Sequence, residues 1–277
     1  MTTDAVQSPR LPSYALFAAV LGAAGLPIYI HAPKFFVDEY GVSLVALGLV
    51  LGGLRLIDVV QDPVFGWLSE ATQSRRAVAV AIASAAMALA MVGLFAVQPP
   101  VAPLLWFALT LTVLFSGFSF LTINFYAQGV LTAGALGQDG HVRLATWRET
   151  GSLIGISLAA VAPTVLAATF DAPFAVFAVC YAFGAAVAVL AMRREWRAAE
   201  SGTRHANMRE IVSDAMTRRL LLIALVNATP VAVSSTLFLF FVESRLQSEG
   251  WEGPLLLLFF LAAALSCLLY TSDAADE

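Results

Sequence analysis

Three charged side chains lie within one long apolar stretch of the sequence. Arg55, Asp58 and Asp62 interrupt the segment LRLIDVVQDPVFGW, whose other residues are all uncharged. Because spacings of three and four residues return to the same side of an α-helix, a helix places all three on one face. A charge inside a membrane costs about 2.5–3.5 kcal/mol on insertion scales, so such residues indicate a functional site.

Two carboxylates one helical turn apart can bind a hard cation such as Na⁺ through oxygen ligands, or can share a proton. Arg55 is then the charge-balancing group, since it can neutralise Asp58 or Asp62 when the cation leaves. Pro63 leaves the backbone carbonyl near Val59 without its helical donor, which could add a ligand or a bend. The alternative is a structural Arg–Asp pair that joins two helices.

Other polar residues give weaker signals. Asn124 and Gln128 are one turn apart in a later apolar stretch and could line a cavity, or could form hydrogen bonds between helices. Arg148 could reach inward toward a substrate, or could anchor the helix at the membrane surface.

The composition shows what surrounds these residues. Hydrophobic residues make up 60% of the chain and charged residues 12%, whereas a soluble domain has about 25% charged residues. This balance predicts an all-α, multi-pass membrane protein in contact with the lipid bilayer. The net charge of −4 offers no basic excess for nucleic acid, and the two cysteines, Cys180 and Cys267, form no disulfide or metal motif.

Eight stretches are long and apolar enough to cross a bilayer. They are residues 11–36, 43–68, 77–97, 103–131, 151–169, 172–192, 220–242 and a last one that begins near Pro254.

Arginines mark every second loop. Arg75 and Arg76 follow the second stretch, Arg143 and Arg148 follow the fourth, and seven arginines lie between residues 193 and 219. The positive-inside rule therefore predicts a cytoplasmic N-terminus and cytoplasmic even-numbered loops. We expect an N-terminal six-helix bundle (1–192), a cytoplasmic central loop (193–219) and the start of a second bundle (220–266).

The end of the chain has a different character. Residues 267–277 read CLLYTSDAADE, and the apolar run stops there in mid-span. Back-translated, this segment fits a transposon end joined to a sequencing adapter, so we predict an adapter-derived artefact and a C-terminally truncated chain.

The charged motif resembles a known family. The pattern Arg55-x-x-Asp58-x-x-x-Asp62-Pro63-x-x-Gly66-Trp67 is similar to the second span of the glycoside–pentoside–hexuronide:cation symporters, the melibiose permease group of the major facilitator superfamily. The following segment, with Gly66, Glu70, Arg75 and Arg76, resembles the cytoplasmic loop motif of that superfamily, with Glu70 where Asp is usual.

The resemblance implies a fold and a set of roles. It implies twelve spans in two six-helix bundles, of which eight are present here, with a substrate site between the bundles. Asp58 and Asp62 would bind the coupling cation, Na⁺ or H⁺, and Asn124 would serve both cation and substrate. Gln128 and Arg148 would lie near the substrate. No other cofactor or metal is implied.

The predicted function is cation-coupled symport of a sugar or related small organic solute by alternating access, in a bacterial-type inner membrane and by a monomer. A uniporter or proton-coupled exporter of the same superfamily is the nearest alternative. A membrane prenyltransferase would need a second Asp-rich cluster, and Asp38, Asp139 and Asp171 stand alone. We therefore expect that this protein is not an enzyme.

Overall fold

The computed structural model describes residues 9–196 and 213–247, together with short pieces between 254 and 266. These residues are helical and contain no strand, which confirms the all-α prediction. Six segments in this part are long and apolar enough to cross a membrane, with α1 and α2 counted as one. The helices are α1 (Leu11–Ala24), α2 (Leu26–Tyr40), α3 (Leu44–Ala71), α4 (Arg76–Phe95), α5 (Pro103–Ala135), α6 (Gly140–Leu166), α7 (Pro173–Met192) and α8 (Ala215–Ser244).

The chain divides into two compact units. One consists of residues 1–198 with 257–277, and the other of residues 199–256. The first unit contains α1 to α7 and every residue of the candidate site. The second contains α8.

The first predicted span consists of two helices rather than one. The helix stops at Gly25, whose N–H donates to the carbonyl oxygen of Gly22 at 3.1 Å, and α2 restarts at Leu26. Pro27 has no N–H to continue the ladder of hydrogen bonds, so the break follows from the sequence at this point. The second helix runs on to Tyr40 and ends at Gly41, which has a φ of +63°.

Small residues allow α1 and α6 to pack in close contact. A Cβ atom added to Gly151 would overlap the carbonyl oxygen of Ala15, and one added to Gly155 would overlap that of Ala19. Because Gly151 and Gly155 are four residues apart, they form one strip along α6, as in the small-xxx-small interfaces of membrane helices. This contact fixes α6, which carries Arg148, against α1.

The helices α3 and α5 run in the same direction. Ser116 donates to the side-chain oxygen of Gln61 at 3.0 Å, and further along both helices Ser69 donates to that of Asn124 at 2.9 Å. Partners therefore advance together along the two helices. This parallel arrangement is the one that the predicted alternation of spans requires for the second and fourth crossings.

The helix α6 begins well before its predicted span. That span was expected at 151–169, but α6 begins at Gly140, so Arg143 and Arg148 lie on the helix itself. A helix of 27 residues is about 40 Å long, which exceeds the ~30 Å hydrocarbon core. Hydropathy reports only the part of a helix that meets lipid, and the polar first turns of α6 were missed for that reason.

In the second unit, side-chain hydrogen bonds are described at the start of α8. Asp214 precedes the helix and accepts hydrogen bonds at 2.7 Å from both the N–H and the hydroxyl of Thr217. The predicted seventh span, 220–242, falls within α8. The predicted eighth span, which begins near Pro254, is described only as short helical pieces up to residue 266, and the 267–277 segment lies outside the described residues.

Candidate functional site

A cavity of about 410 Å³ lies between α2, α3 and α5. All three charged residues of the sequence motif line it, and they do so from one face of α3, as the helical spacing predicts. Its other polar lining residues are Tyr29 from α2 and Ser119 and Thr122 from α5. The arrangement places two carboxylates and one guanidinium around a single space within apolar helices.

Asp58 is held from both sides. One carboxylate oxygen pairs with the Nη1 of Arg55 at 3.2 Å, and the other accepts from the Nε2 of Gln61 at 2.8 Å. The amide of Gln61 is oriented in turn by the hydroxyl of Ser116 on α5. This chain of hydrogen bonds fixes the Asp58 carboxylate relative to α5, and only 18% of the Asp58 side chain is exposed.

Asp62 has a different environment. One of its carboxylate oxygens accepts a short hydrogen bond from the hydroxyl of Ser119, and the residue is exposed to the cavity. Because Asp58 and Asp62 both face this space, their oxygens provide the hard ligands that an alkali cation or a proton prefers.

The guanidinium of Arg55 lies over an aromatic stack. Its central carbon is 4.6 Å from the centre of the Tyr29 ring, and that ring stacks on Phe115 with 4.7 Å between the ring centres. With 62% of its side chain exposed and a single 3.2 Å ion pair to Asp58, Arg55 can separate from the carboxylate at little cost.

A second cavity of about 210 Å³ adjoins the first. The two share Gly25, Phe118 and Thr122, so the break in the first span and one face of α5 separate them. Arg148 and Glu149 lie on the wall of the second cavity, and the Nε and Nη2 of Arg148 reach the Oε1 of Glu149 at 2.9 and 2.8 Å. Arg148 thus lines a cavity bordered by α1, α5 and α6, and its contact with a substrate stays a prediction.

Asn124 and Gln128 lie away from both cavities. Both side chains are fully buried. Asn124 accepts from Ser69, and Gln128 accepts from the Nη1 of Arg76 at 3.1 Å, so each makes the interhelical hydrogen bond that was one of the two alternatives. Their roles in binding cation and solute stay predictions, and the helix rotation explains why they face α3 and α4 instead of the cavity.

The four residues of the loop motif have unequal environments. Gly66 and Glu70 lie in the last turns of α3, and Arg75 lies in the short 3₁₀ turn Gln73–Arg75 with its side chain exposed. Arg76 begins α4 and is buried, with 6% exposure. The second arginine of the motif is therefore part of the packing between α4 and α5.

Four polar residues of the site were missed from the sequence. They are Tyr29, Gln61, Ser116 and Ser119. The two serines are three residues apart and so share a face of α5, and Gln61 adjoins Asp62. A search of the fourth span for polar residues at helical spacing could have found both serines.

The comparisons with known proteins give one match. A family model described as MFS/sugar transport protein matches residues 13–273. The comparisons with curated proteins and with solved structures gave no match.

Proposed function

Because the chain belongs to the MFS/sugar transport protein family and is therefore a multi-pass membrane transporter, we propose that it is a symporter. In this proposal, Na⁺ or H⁺ drives the uptake of a sugar or a related small organic solute. The membrane is a bacterial-type inner membrane, and the N-terminus is cytoplasmic. The family is one of transporters, so the alternative of a membrane prenyltransferase gains no support.

The observation that carries the proposal is the pair of carboxylates at one cavity. Asp58 and Asp62 are both oriented by α5, through Gln61–Ser116 and through Ser119. A structural ion pair between helices would need one carboxylate and an arginine from a different helix. Here Arg55 comes from the same helix as Asp58, and Asp62 bonds to a hydroxyl. A cation site explains both carboxylates.

Each residue then has a role. Asp58 and Asp62 bind the cation, and Arg55 balances the charge of Asp58 when the cation is absent. Arg148 in the adjoining cavity binds oxygen atoms of the solute, because a guanidinium offers several donors in one plane. Asn124 and Gln128 support the site from the packed face of α5, and a change of helix packing during transport could expose them.

The adjoining cavities give a physical basis for coupling. Gly25, Phe118 and Thr122 border both spaces, so a cation in the first cavity and a solute in the second meet the same segment of α5. If cation binding favours the helix arrangement that also suits the solute, then each ligand raises the affinity for the other by the same factor. Alternating access would then carry both across together.

Binding of radioactive Na⁺ to the purified chain, by equilibrium dialysis, tests the proposal. We expect Asp58→Asn and Asp62→Asn each to weaken Na⁺ binding by at least about tenfold, since each removes a charged ligand. Asp171→Asn is the matched control, because Asp171 lines a different cavity and the same charge is removed. The cation assignment would be overturned if both site variants bind Na⁺ as tightly as the parent and neither variant changes proton release.

The coupling is tested by repeating the dialysis with a panel of hexoses and methyl glycosides. We expect one class of sugar to raise Na⁺ affinity, or to change proton release if H⁺ is the coupling ion. Sugar binding that ignores both Na⁺ and pH would favour a uniporter of the same superfamily.

A further inference from the structure

The second cavity is followed by a third along α5. This space of about 280 Å³ lies between the end of α5 and the start of α6, and Ala133 and His141 line its far side. It therefore lies at the end of the unit that holds the α5–α6 loop, which the positive-inside rule places in the cytoplasm. The three cavities form a series from the carboxylates to this loop.

Two residues line both the second and the third cavity. They are Tyr126 on α5 and Arg148 on α6, and the central carbon of the guanidinium lies 4.2 Å from the centre of the Tyr126 ring. Because this contact joins the two helices at the point where the cavities meet, it lies on the boundary between the two spaces. No other residue lines both of these spaces in the part of the chain that the structure describes.

The Arg148–Tyr126 contact can be broken by a ligand. Glu149 occupies the Nε and Nη2 of Arg148, while Nη1 has no hydrogen-bond partner among the described residues. A cation–π contact in a partly exposed place is weak enough for solute oxygens to compete with it. A solute in the second cavity that bonds to Arg148 would draw the guanidinium away from the ring.

We propose that Tyr126 is a positioning residue that holds Arg148 as a gate between the solute cavity and the cytoplasmic side. The proposal deepens the function given above and rests on it for its meaning in transport. The gate opens when Arg148 leaves the ring of Tyr126 to bind the solute, so release toward the α5–α6 loop becomes possible only for a solute that Arg148 recognises.

Thiol labelling tests the gate without a solute or a cation. Ser152 lines the second cavity one turn beyond Arg148, so Ser152→Cys, in a chain with Cys180→Ser and Cys267→Ser, reports access to that space. The probe is the permanently charged reagent trimethylammonium-ethyl methanethiosulfonate, applied to inside-out and right-side-out membrane vesicles.

We expect Tyr126→Leu to speed labelling of the thiol introduced by Ser152→Cys, from the α5–α6 loop side, by about tenfold. A tenfold change in rate corresponds to the free energy that the loss of a cation–π contact costs. Tyr126→Phe and Tyr126→Trp keep an aromatic face and should label as slowly as the parent. If Tyr126→Leu is not recovered in the membrane, Tyr126→Met removes the ring with the same expectation.

Equal labelling rates in the Leu and Phe variants, or fast labelling in the parent, would overturn the gate. The outcome is independent of the Na⁺ experiment. If the Na⁺ experiment fails but the variants label in the expected order, the symport proposal is wrong and the gate remains. If Na⁺ binds as expected but the variants do not label in that order, the gate is wrong and the symport proposal remains.

Discussion

Ser119 on α5 donates a hydrogen bond to the carboxylate of Asp62 on α3, across the cavity that also contains Asp58. The contact ties one of the two intramembrane carboxylates to the helix that borders the adjoining cavity. It is therefore the most direct link between the proposed cation site and the rest of the bundle, and it suggests the first test.

Ser119→Ala removes this hydroxyl without changing any charge. A hydrogen bond to a charged group is worth about 1.5–3 kcal/mol, so we expect Na⁺ affinity to fall by roughly tenfold or more. Ser119→Thr keeps the hydroxyl and should restore most of the binding, as measured by equilibrium dialysis. Ser84→Ala on α4 is the control, since Ser84 is outside this cavity. Equal binding by the Ala and Thr variants would contradict a role for the hydroxyl.

Gly155→Val should weaken the contact between α1 and α6. Because a side chain at Gly155 would meet the backbone of Ala19, the helices must separate, and overpacking of this kind costs about 1–3 kcal/mol or more. We expect a lower unfolding temperature for the chain in detergent, measured by the loss of helical circular dichroism on heating.

The control for this change is Gly184→Val on α7, where an added Cβ meets no atom within 4 Å. Its unfolding temperature should stay close to that of the parent. If the two valine variants unfold at the same temperature, the close approach of α1 and α6 is not what stabilises the unit.

A comparison of Arg76→Met with Arg75→Met distinguishes an effect on helix packing from an effect on membrane orientation. Both variants remove one positive charge from the junction between α3 and α4, so any effect on membrane orientation is matched. Arg76 is buried and donates to Gln128, whereas Arg75 is exposed. We expect Arg76→Met to lower the free energy of unfolding by about 1–3 kcal/mol and Arg75→Met to change it by less than about 0.5 kcal/mol.

Denaturation of the detergent-solubilised chain by sodium dodecyl sulfate measures this difference. Equal stability of the two variants would show that the hydrogen bond between Arg76 and Gln128 contributes nothing net.

Asp214 should cap α8 in a pH-dependent way. The hydrogen bond from the side chain of Thr217, and next that from its N–H, lower the pKa of Asp214 below the ordinary aspartate value. A lowered pKa means that the stabilisation by the cap is present above the unfolded pKa and is lost as the pH falls through the folded one. The cap therefore persists at neutral pH and disappears only in acid.

Nuclear magnetic resonance of the Thr217 amide can follow this titration. We expect its midpoint to lie below that of an unstructured aspartate, and Asp214→Asn to abolish it while keeping a capping oxygen. A midpoint at or above the ordinary value would mean that the cap does not form in solution.

The sequence by itself determined the class of the protein and the charged face at the centre of the candidate site. Apolar length and charge predicted the helical spans, because lipid leaves no other partner for backbone groups. The helical spacing of Arg55, Asp58 and Asp62 placed them on one face, because positions i, i+3 and i+7 lie on the same side of any α-helix. These features depend only on neighbours along the chain, and the structure has both.

The tertiary structure decided which other side chains meet this face. Asn124 and Gln128 look as polar in the sequence as Ser116 and Ser119, yet the rotation of α5 turns the serines toward Gln61 and Asp62 and turns the amides toward Ser69 and Arg76. That rotation is set by packing among several helices, and no local spacing encodes it. The cation–π contact between Tyr126 and Arg148 likewise joins two helices, and only their packed arrangement brings it about.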